Sequence, residues 1–212
     1  MRVPDLLQAA DRACKQSDKS TPLLPLISKI RALESALENW FEQSDLPRPT
    51  DMTALKTGIG FPCLALLDQQ FSPPLDFSSF NVANIYNLYW TCLLLLRLSL
   101  LDLKGLPPSP QDPFVLASLA DHDLEAGCSA CASLLCRSIS FLFGEAGGNI
   151  SRAASIRAPL HFAQLSFRST GSGQELETVQ AAEGEIRSHF NSLHWDSLLP
   201  WSFQALIWAI DE

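Results

Sequence analysis

The stretch from Phe80 to Lys104 constrains this chain more than any other. Val82, Ile85, Tyr89, Leu93, Leu96, Leu100 and Leu103 step by three, four, four, three, four and three residues, the spacing of one helix face. Tyr86, Trp90, Leu94 and Leu95 widen that stripe until little polar face is left. A helix apolar on most sides must be buried on most sides. The expectation is a soluble all-α protein, a single-domain multi-helix bundle around this helix. Asn81 is expected to cap its start, and Gly105 with Pro107, Pro108 and Pro110 to stop it. Arg97 and Asp102 break the apolar run well short of the roughly 20 residues that cross a bilayer. It therefore reads as a core helix, with no membrane partner.

The rest of the chain is consistent with one helical domain over 1–212. It divides into N-terminal helices (1–44), a proline-rich connector (45–79) and a helical core (80–212). Thr21-Pro22 supplies a hydroxyl cap followed by a proline at the first helical position. Leu26, Ile27, Ile30, Leu33, Leu37, Trp40 and Phe41 then mark an amphipathic helix to about Gln43. An earlier helix is expected over Asp5 to Gln16. Prolines 47, 49, 62, 73 and 74 break the connector, leaving a short helix over Leu64 to Gln70. A helical region from Asp112 to Phe143, split near Asp121 or Gly127, is expected next. Glycines 144, 147 and 148 are expected to end it. Later helices are expected at Pro159 to Arg168, Gln174 to Phe190 and Ser202 to Ile210. Leu176, Val179, Ile186 and Phe190 share one face of the penultimate helix. No alternating pattern of the strand type stands out.

The charge balance excludes some functions. Fifteen basic against 23 acidic residues leave a net charge of −8, and the basic residues do not cluster. Phosphate neutralisation supplies most nucleic-acid affinity, so direct nucleic-acid binding is not expected. With 47% hydrophobic residues the chain can bury a sizeable core. The N-terminus has no uninterrupted apolar run of signal-peptide length, so an intracellular protein, cytoplasmic or nuclear, with reduced thiols is expected. On the same reasoning the sequon at Asn149 is incidental.

Candidate chemistry is sparse. Cys128, Cys131 and Cys136 are closely spaced, but zinc needs four ligands gathered tetrahedrally. On a helix they read as small buried thiols, and no metal or other cofactor is expected. His122 sits between two aspartates and reads as a solvated turn. His161, near an expected helix start, is a candidate donor to a ligand. His189 and His194 carry weaker versions of that possibility. Arg97 must be paired if buried, either structurally, with Asp102 or another acid, or by an anionic ligand. Asn84, Asn87 and Thr91 form a polar strip on the central helix beside Tyr86, Tyr89 and Trp90. Convergent polar groups in an apolar pocket are the usual form of a small-molecule site. The five tryptophans read as core or interface residues. Phosphate-binding glycine loops, a nucleophile elbow, a zincin motif and an aspartate-rich cyclase motif are all absent from the sequence.

The run Phe80-Asn81-Val82-Ala83-Asn84-Ile85-Tyr86-Asn87-Leu88-Tyr89-Trp90-Thr91-Cys92-Leu93-Leu94-Leu95-Leu96 resembles the central helix of the fungal-specific transcription-factor regulatory domain. Cys136 to Phe143 resembles a following helix of that domain, and Ala158 to Ala163 its proline-started helix. The resemblance covers roughly residues 75–210 and lies in apolar patterns. The six-cysteine zinc cluster and basic stretch of that family have no counterpart here. The resemblance implies a helical domain without a DNA-binding module, binding an apolar small molecule or a protein partner, with a setting in secondary metabolism. Homo-oligomerisation is left open. The alternative is a cofactor-independent cyclase or isomerase-type catalyst, a pericyclase such as a Diels–Alderase. Such chemistry needs positioning and one polarised carbonyl rather than a nucleophile or metal. It would draw on Asn84, Asn87, Tyr86, Tyr89, Trp90, Arg97 and His161.

Overall fold

A helix from Phe80 to Lys104 runs through the centre of the structure, over the range its stripe dictates. The computed structural model describes residues 3–15, 23–52, 61–106, 124–146 and 150–190. The expected cap at Thr21-Pro22, a split at Asp121, His122, Asn149, His194, the last three tryptophans and the helix over 202–210 lie outside those residues. In chain order the helices are α1 (Val3–Lys15), α2 (Leu23–Gln43), α3 (Pro62–Gln70), α4 (Phe80–Lys104), α5 (Leu124–Arg137), α6 (Ile139–Ala146), α7 (Ile150–Ser169) and α8 (Gly173–His189). The class is all-α. The one sheet among the described residues is a two-residue antiparallel pair, β1 (Thr50–Asp51) with β2 (Leu75–Asp76). It is too short for an alternating pattern. The Met52 N–H bond to Pro74 O, 2.8 Å, extends the pairing by one rung.

The central helix is wrapped by α5, α1, α2 and α7. Leu94, Leu96, Leu100 and Leu103 are fully buried on it. Its cap differs from the expectation. Ser79, in extended conformation, accepts a bond from Val82 N–H at 3.3 Å. Asn81 lies two positions too late, already inside the first turn, where its side chain cannot reach back to the free N–H groups.

Three other boundaries depart from the sequence reading. The helix after the undescribed stretch does not split at Gly127; it breaks at Ser138 between α5 and α6. There the Ser138 hydroxyl donates toward Asn87 Oδ1, 2.8 Å away, and lies 2.7 Å from Leu135 O. A buried tertiary hydrogen bond thus sets the break. Gly144 lies within α6 and does not end it. Finally, α7 begins at Ile150, and Pro159 sits in its interior. The missing proline N–H costs one helical bond. Burial of Ile156 and Ala158, both at 0% exposure, holds the upstream turns in place.

Leu124–Ala146 is long and apolar enough to cross a membrane by length and composition. It is broken at Ser138, and 56% of its apolar window is buried inside the structure. Core helices share that composition.

A cavity under the first helix and the fate of the polar strip

Inside the fold, Asn87, Arg97 and Ser99 of α4 find partners, while the buried Tyr86 and Thr91 hydroxyls meet no hydrogen-bond partner among the described residues. Asn87 is buried; its Nδ2 donates to Ala83 O at 2.9 Å and its Oδ1 receives Ser138. Tyr86 and Trp90 are buried against each other, with ring centroids 5.3 Å apart and Phe77 beside both. Arg48 lies near the Tyr86 hydroxyl, whose pKa burial raises and Arg48 partly lowers. Tyr89 stacks on Phe41 at 3.9 Å, and burial with the charge of Glu38 pushes its pKa up to about 12. Thr91 is fully buried, with 0% exposure. Asn84 is half-buried at the edge of the same helix.

Arg97 is clamped by α2 and α5. Its Nε donates to Glu34 Oε1 at 2.7 Å and one terminal nitrogen to Glu38 Oε1 at 3.0 Å. The other donates to Gly127 O and Cys131 Sγ, both at 3.3 Å. Burial works to lower its pKa, but the bond to Glu34 and the acidic groups around it prevail and raise it. The partner is therefore not Asp102, which lies five residues along and points elsewhere on the helix. The clamp also accounts for Gly127. A Cβ there would stand 3.3 Å from Arg97 Cδ and 3.4 Å from its terminal nitrogen.

The cysteine run is packed as thiols. Cys128, Cys131 and Cys136 are buried. Burial pushes the Cys128 thiol up to about 12 and raises Cys136 further, which makes both inert as nucleophiles. His161 is half-buried on α7 with its ring 5.4 Å from Phe162. His189 ends α8 exposed, among Phe61, Phe143 and Phe190.

A cavity of about 140 Å³ opens where α1 crosses α4 near the end of α7. Leu7 and Ala10 of α1, Leu95 and Leu98 of α4 and Leu165 of α7 form its apolar walls. Asp11, Cys14, Ser99, Asp102 and Ser169 supply its polar atoms. Their placement follows from helical spacing: Leu95, Ser99 and Asp102 step by four and three along α4, and Leu7, Ala10 and Cys14 by three and four along α1. Ile85, Leu88 and Cys92 continue the same face of α4 toward its N-terminus, where Ile85 and Leu88 are exposed. Burial raises the Asp102 carboxyl above the ordinary carboxylate range, and the charge of Asp11 adds to this. Burial and the same two carboxylates push the Cys14 thiol up to about 11.

Among the sequence candidates none lines this cavity; His161 lies one turn before its lining residue Leu165 on α7. The residues that do line it were hidden in the sequence. Asp11 and Cys14 lie on a helix that reads as ordinary, and Ser99 and Asp102 look like the polar edge of α4. The one available signal was that Ser99 and Asp102 share a face with Leu95 on an otherwise apolar helix. Comparison with protein-family models, with curated proteins and with solved structures finds no match to this chain.

Proposed function

We propose that the chain is a helical binding domain that takes a small, largely apolar ligand between α1, α4 and α7. This is the role implied by the resemblance to the fungal-specific transcription-factor regulatory domain. The observation that carries it is the cavity of about 140 Å³ walled by leucines from three helices. An apolar cavity of about 150 Å³ is large enough to hold benzene. The cyclase alternative drew on side chains of α4 that are engaged in core contacts away from this cavity. No observation among the described residues favours that alternative over the binding reading.

The test is a titration of the protein with neutral ring-sized probes, toluene and benzyl alcohol, followed by amide and methyl NMR. Binding is expected to shift Leu7, Ala10, Leu95, Leu98 and Leu165, and Ala10→Phe, which fills the space, should abolish those shifts. Saturating probe without shifts at these residues, or shifts confined to another part of the molecule, would sink the reading.

A further inference from the structure

The central helix is apolar on most sides, yet the described fold leaves one strip of it uncovered near the N-terminus. Ile85 is 37% and Leu88 41% exposed, and Tyr89 and Cys92 beside them are half-buried. These four step by three, one and three residues, which places them on one helix face. Tyr89 stacks on Phe41, whose ring lies 6.4 Å from that of the exposed Trp40, so the apolar surface continues onto α2. Among the described residues the other exposed large aliphatic side chains form no such strip. Leu24 lies at the far end of α2 from Trp40, and Leu66 stands singly on α3.

The sequence carries a matching strip beyond Phe190. Phe203, Leu206, Ile207 and Ile210 also step by three, one and three, with Gln204 and Glu212 on the opposite side of the same helical pattern. Ser202 stands just before them as a capping residue. So short a stretch does not hold a helix by itself in water; it needs an apolar surface to fold against. A helix apolar on most sides, such as α4, needs the converse. Neither strip carries a charge that would have to be desolvated. Reach is not limiting. The 191–202 connection extends up to about 40 Å, about the width of a domain of this size.

We propose that residues 203–210 form a helix that packs, within the same molecule, on the Ile85, Leu88, Tyr89 and Cys92 face of α4. Tethering decides between this occupant and a second copy of the chain. A short flexible connection holds the segment at an effective concentration in the millimolar range, well above that of a second molecule in ordinary solution. The contact does not depend on the ligand-binding reading, since Ile85, Leu88, Tyr89 and Cys92 are not among the residues that line the cavity.

The experiment combines hydrogen exchange with isotope-filtered NMR on the full chain. Methyl contacts are expected between Leu88 and Leu206 or Ile207 of one molecule, with residues 203–210 protected from exchange. Leu88→Glu should speed exchange over 203–210 roughly tenfold or more, the loss expected when one leucine leaves an apolar contact, while α5 and α8 keep their protection. Leu66→Glu, at a position 55% exposed on α3, should leave 203–210 unchanged. Leu206→Glu makes the test from the other side with every residue of α4 intact, and should release the segment and the Leu88 methyls together. Free exchange over 203–210 in the unaltered chain overturns the proposal. So does protection that survives both Leu88→Glu and Leu206→Glu. Methyl contacts found only between differently labelled molecules overturn it as well, and make the strip a contact between two copies.

Discussion

Arg97 shows how a charge is tolerated in the most apolar helix of the chain. Glu34 is 6% exposed and depends on two cations, Arg97 at 2.7 Å and Arg31 at 2.8 Å. Removing one member of a buried pair strands the other, which costs about 3 kcal/mol, whereas replacing both by apolar residues is far milder. Arg97→Met should therefore lower the melting temperature by about 6–12 °C. The pair Glu34→Met with Arg97→Met should recover most of that loss in urea titrations followed by circular dichroism. If Arg97→Met alone were neutral, Arg97 would not be a structural clamp and its reading as an anion site would reopen. Asp102 presents the opposite case. Its folded pKa is raised, so the folded chain holds this proton more tightly than the unfolded chain. The resulting stabilisation is present at low pH and lost as pH rises through the raised folded value. Asp102→Asn should thus raise the melting temperature near pH 7, by about 1 °C for so exposed a group, and the gain should vanish near pH 3. A melting temperature that falls at neutral pH would mean that Asp102 is held by a favourable contact.

At the scale of elements, legibility in the sequence followed the strength of the local pattern. The stripe from Val82 to Leu103 matched the limits of α4 to the residue, although its member Ile85 is left exposed near the start of the helix. Val179, Ile186 and Phe190 defined the buried face of α8 equally well. Trp40 sat on the apolar stripe of α2 yet is 52% exposed, because periodicity gives a face but not how far the partner helices extend over it. The start of α7 and the break at Ser138 were illegible for a different reason. A proline and a serine have strong local preferences, and in both places the burial of distant residues overrides them. Gly127 belongs to this second kind. An exposed helical glycine replaced by alanine gains about 1 kcal/mol. Gly184, in mid-α8 with open space around its Cβ position, should show that gain as Gly184→Ala. Gly127→Ala should not, since the new methyl meets an Arg97 side chain that four partners hold still. Equal gains at the two sites in chemical denaturation would show that the clamp is loose.

At the scale of the molecule, α4 joins two apolar clusters. The larger gathers α3 and α5 to α8 around Leu93, Leu94 and Leu95. The smaller sets Ala10 and Ala13 of α1 and Leu26, Ile27 and Ile30 of α2 against Leu96, Leu100 and Leu103. The two clusters do not hold their members equally. α5 and α7 pack on each other as well as on α4, whereas α1 packs mainly on α4 and α2 and brings small side chains to the contact. Local opening follows buried apolar contact, so α1 should exchange its amide hydrogens first and the middle of α4 last. The cavity lies beneath α1, which gives a ligand a way in without opening the main core. Hydrogen exchange read by mass spectrometry should therefore show α1 exchanging fastest among the described helices. Saturating benzyl alcohol should slow α1 more than any other helix and leave α5 and α8 unchanged. Protection of α1 equal to that of α4 in the free protein would mean that α1 is held as firmly as the core, and entry beneath it would then need no less than the opening of the core itself.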